Sequence, residues 1–238
     1  MTEQHTAKAF DVDLQDLARM VAEMGGLAEK QIGDAIDALA KHDATLAQRV
    51  IAQDVGIDAL QRQIEDMAVL TIARRQPMAV DLREIVTALR LSNDLERVGD
   101  LAKNIGKRVV VIADEFYPAK ILRGVEHMAD LVLTQVKDVL DAYARRDSAK
   151  AVAVWRGDDE VDAVNNSLFR ELLTYMIEDP RNITFCIHLL FCAKNIERMG
   201  DHATNIAETV YYMIEGQPLA DERPKGDITS SAAVPFKR

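Results

Sequence analysis

A nine-residue segment occurs twice in the chain, and this duplication constrains the fold more than any other feature. The segment "ERVGDLAKN" runs from Glu96 to Asn104, and "ERMGDHATN" runs from Glu197 to Asn205. Upstream of these motifs, an offset of 104 residues aligns ten identical pairs: Met24/Met128, Leu27/Leu131, Gln31/Gln135, Asp34/Asp138, Asp37/Asp141, Asp43/Asp147, Val50/Val154, Asp54/Asp158, Asp58/Asp162 and Ala59/Ala163. A three-residue deletion near Pro77 and Pro180 then brings the two motifs into register. The chain is therefore a duplicated unit.

The hydrophobic pattern of each unit is typical of amphipathic helices. Between Phe10 and Met213, apolar residues recur at three- and four-residue spacing. Proline, or an aspartate placed as an N-cap, interrupts this pattern at residues 41–43, 76–77, 116–118, 145–147 and 179–180. Six long helices are predicted. Short connections between long helices make neighbours antiparallel, so we expect an all-α protein of two tandem homologous antiparallel three-helix bundles.

These breaks also predict the domain limits. The first bundle is expected in residues 1–116 and the second in residues 117–214. Residues 215–238 are rich in proline, glycine, serine and charge, which predicts a disordered tail.

Charge and composition exclude several classes of protein. The formal net charge of −10 repels phosphate backbones, so nucleic acid is not an expected partner. The start of the chain lacks a signal-peptide pattern, and the most apolar stretch, "ITFCIHLLFCA", is too short to span a bilayer. The two cysteines, Cys186 and Cys192, fit neither a zinc spacing nor a CxxC redox motif. A soluble cytoplasmic protein with buried, reduced thiols is predicted.

Each unit carries two pairs of acidic residues spaced four apart. The pairs are Asp54 with Asp58, Glu96 with Asp100, Asp158 with Asp162, and Glu197 with Asp201. At this spacing two carboxylates lie on one helix face and repel each other. A cation among them reverses the sign of the effect, and a purely oxygen donor set suits hard ions such as Mg²⁺, Mn²⁺, Ca²⁺ or iron. The pattern therefore predicts a metal site in each half.

The glycine and asparagine of the motif add to this prediction. Glycine in a helix interior costs about 1 kcal/mol relative to alanine, yet Gly99 and Gly200 recur at the same place. The missing side chain could leave room for an ion, a water molecule or a neighbouring backbone. A second shell of four further residues is expected around the carboxylates, orienting them or donating hydrogen bonds: Arg97, Asn104, Arg198 and Asn205.

Three short motifs that contain histidine or lysine do not indicate further sites. His202 follows Asp201, but its counterpart is Leu101, which favours a surface or partner role over a ligand role. The dipeptide of His42 and Asp43 is not interpreted as a metal dyad, since the counterpart of His42 is Arg146 and an N-cap explains the aspartate. "GDLAKNIGKR" lacks the spacing and the Ser or Thr of a P-loop.

Two other interpretations of the acidic pairs stay open at this point. In a metal-free helical scaffold, the acids would serve only solubility and partner docking. In a metal-dependent all-α nucleotide pyrophosphohydrolase they would hold Mg²⁺, although such enzymes typically space their acids three apart and add basic residues for the phosphates. Ferritin-like oxidation is disfavoured because the chain contains no Glu-x-x-His.

The motifs resemble those of the PhoU family. The resemblance rests on the two "ERxGDxxxN" segments, on "AQDVGIDAL" and "RGDDEVDAV" upstream of them, on "QPMAVDLREI", and on the opening "HTAKAFDVDLQDLARMVAEMGG". It extends from about His5 to Met213. It implies two similar three-helix bundles side by side.

The resemblance also implies a function that the residues alone do not. Members of the family are cytoplasmic negative regulators of phosphate uptake and phosphate-starvation signalling. They act with the ATPase subunit of the phosphate ABC transporter and with a sensor histidine kinase, in peripheral association with membrane complexes. We expect the same of this chain, with no enzyme activity, no membrane insertion and a homodimeric assembly.

The resemblance also implies that the acidic motifs bind metal. The metal is iron in some members, with manganese, magnesium or zinc as alternatives, and the sites can be multinuclear. Carried over by position, the implied ligands are Asp54, Asp58, Glu96, Asp100, Asp158, Asp162, Glu197 and Asp201.

Overall fold

The described chain is built from helices joined by short turns. The structure is a computed structural model, and it describes residues 2–115 and 119–219. It contains seven α-helices and one short 3₁₀ turn in those ranges: α1 (Thr2–Lys41), α2 (Ala44–Arg75), α3 (Val80–Ile112), α4 (Ala119–Arg145), α5 (Ser148–Arg156), α6 (Asp158–Glu178), the 3₁₀ turn Pro180–Asn182, and α7 (Ile183–Glu215). Within those ranges, none of the helices has the length and apolar character required to cross a bilayer. The predicted all-α fold class is confirmed.

The helices form two three-helix units. Helices α1, α2 and α3 pack on one another and form the first unit. The second unit consists of α4, of α5 and α6 together in the place of one helix, and of α7. The two units meet where α3 packs on α7 and where α1 packs on α4. Near one end of the α3–α7 contact, the guanidinium of Arg108 lies 4.0 Å from the ring centre of Phe191, and further along Asp94 contacts His202. The numbering rises along α3 as it falls along α7, so these central helices are antiparallel.

This antiparallel register places the two "ERxGD" motifs at the same level of the molecule. Val98 and Met199, at the middle of the two motifs, are fully buried. The motifs therefore lie at the centre of the contact between the units, where each presents its acids to the other helices of its own unit.

The turn after the first helix is the same in both units. His42 and Arg146 have φ angles of 55° and 53°, in the left-handed region. The following aspartates cap the next helix, since Asp43 accepts a hydrogen bond from the backbone N–H of Leu46 at 2.8 Å and Asp147 accepts one from Lys150 at 2.9 Å. The predicted N-caps are confirmed, and the His42–Asp43 pair is part of a turn.

The fifth predicted helix is present but is divided at Gly157. The carbonyl of Gly157 accepts a hydrogen bond from Nε2 of Gln135 at 3.0 Å, while its N–H is shared between the carbonyls of Ala153 and Val154. α5 therefore ends just before Gly157, and α6 begins at Asp158. In the first unit the corresponding helix, α2, continues without a break.

Two predictions concern residues that the structure does not describe. The boundary at 116/117 lies in the undescribed residues 116–118, and most of the predicted disordered tail lies in residues 220–238.

Both cysteines lie on α7 with their side chains buried, as predicted. Cys186 and Cys192 are both free and buried. Burial raises the pKa of the Cys192 thiol to about 12, which keeps it protonated and unreactive at neutral pH.

Substituting alanine for each of two glycines should have opposite effects on stability. A Cβ at Gly33 would meet no atom within 4 Å, so Gly33→Ala should raise the free energy of unfolding by about 0.5 to 1 kcal/mol through helix propensity. A Cβ at Gly106 would lie 3.1 Å from the backbone oxygen of Ala47 and 3.3 Å from Cγ1 of Ile51. Gly106→Ala should therefore lower that free energy by about 1 to 3 kcal/mol. Urea unfolding followed by circular dichroism measures both, and equal effects of the two substitutions would contradict the packing described here.

Candidate functional site

The four acids of the first unit come together between α2 and α3, as the sequence predicts. We call Asp54, Asp58, Glu96 and Asp100 the first acidic cluster. Burial raises the pKa of Glu96, Arg97 lowers it, and the charges of Asp100, Asp58 and Asp54 raise it, so Glu96 lies within electrostatic reach of all three acids. Asp54 is buried, and the other three carboxylates are half-buried. Two helices thus contribute one i, i+4 pair each.

A lysine that sequence reasoning missed lies inside this cluster. The ammonium of Lys103 donates to Oδ2 of Asp54 at 2.5 Å and to Oδ1 of Asp100 at 2.9 Å, so it joins α2 to α3. These two hydrogen bonds are the main causes that raise the pKa of Lys103, which therefore keeps its positive charge. The signal in the sequence was a lysine inside the repeated motif whose counterpart, Thr204, is neutral.

Partial burial has the largest effect on the pKa of Glu96. Loss of hydration raises the pKa of the Glu96 carboxyl, Arg97 lowers it, and the neighbouring acids raise it further. The guanidinium of Arg97 lies 3.4 Å from Oε2 of Glu96 and 3.7 Å from Oδ2 of Asp100. Because 62% of the Arg97 side chain is exposed, these ion pairs contribute little to stability.

The corresponding acids of the second unit lie on α6 and α7. We call Asp158, Asp162, Glu197 and Asp201 the second acidic cluster. It is the more buried of the two, since three of its residues, Asp158, Asp162 and Glu197, have exposed fractions of 4%, 6% and 5%. Thr204, at the position of Lys103, donates to Oδ1 of Asp158 at 3.3 Å and to the carbonyl of Gly200 at 3.0 Å.

A different lysine approaches the second cluster. The ammonium of Lys194 lies 2.8 Å from Oε2 of Glu197, one turn before the motif begins. Its side chain is 46% exposed, compared with 25% for Lys103. The two halves therefore bring ammonium groups to their acids from different positions of the repeat.

Each of the repeated glycines lies beside a repeated glutamine. Gln31 and Gln135 are buried, and their Nε2 atoms donate to the carbonyls of Val50 at 3.1 Å and Gly157 at 3.0 Å. Their Oε1 atoms lie 3.2 and 3.3 Å from the positions that a Cβ would take on Gly99 and Gly200. A side-chain amide thus lies beside each glycine, and at Gly99 the Cδ1 atom of Ile57 is closer still, at 2.8 Å from the Cβ position. The sequence showed the glutamine pair, but no chemical signal assigned it a role.

Neither of these amide oxygens accepts a hydrogen bond from the described part of the chain. A buried, unsatisfied carbonyl oxygen is uncommon in folded proteins. In each half it lies next to the acid-bearing helices, where an amide oxygen is also a suitable ligand for a hard cation.

The predicted second-shell residues have unequal surroundings. Asn104 is half-buried and accepts a hydrogen bond from Lys107 at 3.4 Å, and Asn205 is half-buried at the corresponding place. Arg97 contacts two carboxylates as described above, whereas Arg198 is exposed. Their second-shell role stays a prediction.

His202 connects the two units. Its Nδ1 atom lies 2.8 Å from Oδ1 of Asp94, on α3, and both side chains are half-buried. The histidine thus contacts the opposite motif helix within the chain, and its predicted surface or partner role stays a prediction.

The metal sites themselves stay a prediction. Among the described residues, no three carboxylate, imidazole or thiol side chains converge closely enough to hold one ion in the conformations they have here. In the first cluster the position between the carboxylates is taken by the ammonium of Lys103. In the second cluster, an all-oxygen donor set and the unsatisfied oxygen of Gln135 fit a hard cation, provided that the side chains rotate towards it.

The fold and the duplicated acidic clusters define an all-α protein of two repeated three-helix units. The PhoU domain model matches residues 21–109 and 125–210, one match in each unit. The chain belongs to the PhoU family.

Relatives of the family match nearly the whole chain. The "phosphate-specific transport system accessory protein PhoU homolog" of Rhizobium meliloti (strain 1021) is 57% identical over 97% of this chain and 98% of its own length. The protein described in the same words from Caulobacter vibrioides (strain NA1000 / CB15N) is 51% identical over 97% of this chain and 100% of its own. The crystal structure of PhoU from Pseudomonas aeruginosa superposes with a TM-score of 0.84 at 39% identity, covering 87% of this chain and 100% of that one.

The raised pKa of Glu96 predicts a pH-dependent effect of removing its charge. Because the folded state holds the Glu96 proton more tightly than the unfolded state, ionising this carboxyl lowers stability as pH rises above about 4. Glu96→Gln should therefore stabilise the protein more, relative to the natural sequence, at pH 7 than at pH 4. Urea unfolding in the presence of a chelator measures this difference.

Glu178→Gln, at the exposed end of α6, serves as the control for removing one negative charge. An effect of Glu96→Gln that is larger at pH 4 than at pH 7 would contradict the described environment.

Proposed function

We propose that this protein is a cytoplasmic negative regulator of phosphate uptake and phosphate-starvation signalling. The observation that supports this most strongly is 57% identity, over 97% of the chain, to a protein described as an accessory protein of a phosphate-specific transport system. The family is one of accessory proteins, so we assign the chain no catalytic reaction. Its proposed partners are the ATPase subunit of the phosphate ABC transporter and a phosphate-sensing histidine kinase.

The acidic clusters are the proposed metal-binding elements of this regulator. In the second unit, the carboxylates of Asp158, Asp162, Glu197 and Asp201 would hold iron, or manganese, magnesium or zinc, alone or in a multinuclear centre. In the first unit, Asp54, Asp58, Glu96 and Asp100 have the same arrangement with Lys103 among them. A bound ion supplies positive charge that holds the carboxylates of two helices together.

The helices that carry the acids also form the contact between the units. α3 and α7 meet along their length, and Asp94 and His202 join them within a turn of both motifs. A change in charge at either cluster therefore acts on the helices that set the relation of the two units. We propose that the resulting shape and charge are what a transporter or kinase subunit recognises, on the surface that includes the exposed Arg97 and Arg198. A homodimer is part of the same proposal.

The metal proposal predicts the result of elemental analysis. Protein purified without chelator should contain bound metal, and a variant with four substitutions in the clusters should lose most of it while remaining helical: Glu96→Ala, Asp100→Ala, Glu197→Ala and Asp201→Ala. The matched control removes four exposed acids elsewhere, Asp11, Asp66, Asp114 and Glu178. Equal metal content in all three proteins would assign the acids to a solvated or docking surface.

The regulatory proposal predicts the result of a complementation experiment. In a bacterium that lacks its own member of the family, this protein should restore repression of a phosphate-starvation reporter when phosphate is abundant. The four-acid cluster variant should fail to do so, and the exposed-acid control should succeed. A reporter that stays fully active although the natural protein is expressed and folded would contradict the regulatory proposal.

A further inference from the structure

The turn between α2 and α3 presents apolar side chains to solvent. We call residues 76–79 the Met78 turn, after its central methionine, which is 80% exposed. Val80 and Leu82, at the start of α3, follow it with exposed fractions of 48% and 37%. Exposed apolar residues that lie together in this way are typical of interaction surfaces. The Met78 turn is therefore a candidate contact with another protein.

The backbone of this turn is strained on both sides of the methionine. Gln76 and Ala79 both have φ angles of 49°, which residues other than glycine rarely adopt. Such conformations persist where the surrounding structure imposes them, and they are frequent at functional sites. At the corresponding place the second unit has the 3₁₀ turn Pro180–Asn182, in which no residue has a positive φ angle. The strained, exposed turn thus belongs to the first unit alone.

The Met78 turn also carries positive charge, on a protein whose formal net charge is −10. Arg74 and Arg75 lie in the last turn of α2, just before it. Arg75 donates to Oδ2 of Asp13, on α1, at 2.9 Å. Arg74 is exposed and makes no ion pair with the part of the chain that the structure describes. The charge of Arg74 is therefore available to a carboxylate of another molecule.

A cavity of about 400 Å³ lies between α1 and α4, close to this turn. Asp13, the partner of Arg75, precedes the cavity residue Leu14, and the cavity residue Glu84 lies one turn along α3 from Val80. The volume is in the range of natural binding pockets. The walls of this α1–α4 cavity are mostly apolar, formed by Leu14, Leu17, Ala22, Leu140, Ala144 and Met213.

An acid without an ion partner lines the same cavity. Two of the cavity's carboxylates, those of Glu84 and Asp141, are held in ion pairs. Glu29 is half-buried and forms none with residues 2–115 or 119–219. Burial raises the pKa of Glu29, and the charge of Lys137 lowers it without coming within ion-pair distance. A partly buried carboxylate in apolar surroundings favours a cationic group beside it.

We propose that the Met78 turn of one protomer inserts into the α1–α4 cavity of a second copy, so that two copies form a symmetric dimer. The apolar turn matches the apolar walls, and Arg74 pairs with Glu29 of the other protomer. Two chains of net charge −10 repel each other, so this local match of opposite charges is what aligns them.

The positions of the turn and the cavity allow this assembly to close. The two features are neighbours at one end of the molecule, joined by the contact of Arg75 with Asp13. A two-fold axis between them lets both protomers insert at once, which gives a closed dimer and not an open chain. The inference rests on the proposed function only because a homodimer is part of it, and it identifies the surface that forms that dimer.

The first test measures the dimer dissociation constant by analytical ultracentrifugation. Met78→Asp should raise this constant by about tenfold or more, because it places a charge in an apolar cavity. The matched control is Ile177→Asp, the same change at a residue that is 82% exposed near the end of α6. The control should leave the constant unchanged.

Charge reversal tests the pairing of Arg74 with Glu29. Arg74→Glu and Glu29→Arg should each weaken the dimer by about tenfold or more, and the double variant should recover most of the loss. Arg62→Glu, at an exposed arginine earlier on α2, is the control for Arg74→Glu. Circular dichroism checks that each variant is folded.

A disulfide experiment locates the contact even if a charge variant does not fold. Met78→Cys and a tagged Ala22→Cys protein are mixed and oxidised, and a covalent dimer of the two should form. A mixture of Ile177→Cys with the tagged Ala22→Cys protein should give none. The natural cysteines, Cys186 and Cys192, are buried and do not compete.

The outcomes separate this inference from the proposed function. If the natural protein is a dimer but Met78→Asp weakens it no more than Ile177→Asp, the dimer uses another surface; this inference is then wrong, and the proposed homodimer stands. If the natural protein is a monomer at every concentration, this inference and the proposed homodimer both fail. The regulatory proposal is tested separately, by the phosphate-starvation reporter.

Discussion

The repulsion between carboxylates on facing helices is the constraint on which the rest of this structure depends. Each half places two i, i+4 acid pairs where its second and third helices meet, and several of these groups are withdrawn from water. Withdrawing charged groups from water is costly unless opposite charge is supplied. In the first half that charge comes from Lys103, which joins Asp54 to Asp100. In this half, an ammonium group is therefore part of what holds the two helices together.

Close approach of the helices imposes the other repeated features. A Cβ on Gly99 would meet Cδ1 of Ile57 at 2.8 Å and the amide of Gln31 at 3.2 Å, and one on Gly200 would meet the amide of Gln135 at 3.3 Å. Each glutamine also binds a backbone carbonyl shortly before the first acid of its cluster, and in the second half this interaction accompanies the break at Gly157. The duplicated motif is thus one packing unit of glutamine, glycine and acids. The antiparallel contact of α3 with α7 places both copies at the centre of the molecule, where a change in one copy can reach the other.

Much of this arrangement could be predicted from the sequence, for identifiable reasons. The spacing of the apolar residues predicted the helices. Asp43 and Asp147 could be identified as N-caps because an aspartate just before an amphipathic segment indicates the start of a helix. The grouping of the acids followed from antiparallel neighbours. The bridge from Lys103 to Asp54 could not be predicted, because it depends on the rotation of α3 relative to α2. The hydrogen bond at the Gly157 break could not be predicted either, because its donor, Gln135, is 22 residues away in the chain.

The central claim is that a cation joins the acid-bearing helices. Crystals of the natural protein grown with Mn²⁺, with diffraction data collected near the manganese absorption edge, test this most directly. We predict an anomalous density peak at the proposed metal sites, among Asp158, Asp162, Glu197 and Asp201 or among Asp54, Asp58, Glu96 and Asp100. An absence of anomalous density at both clusters would contradict this account.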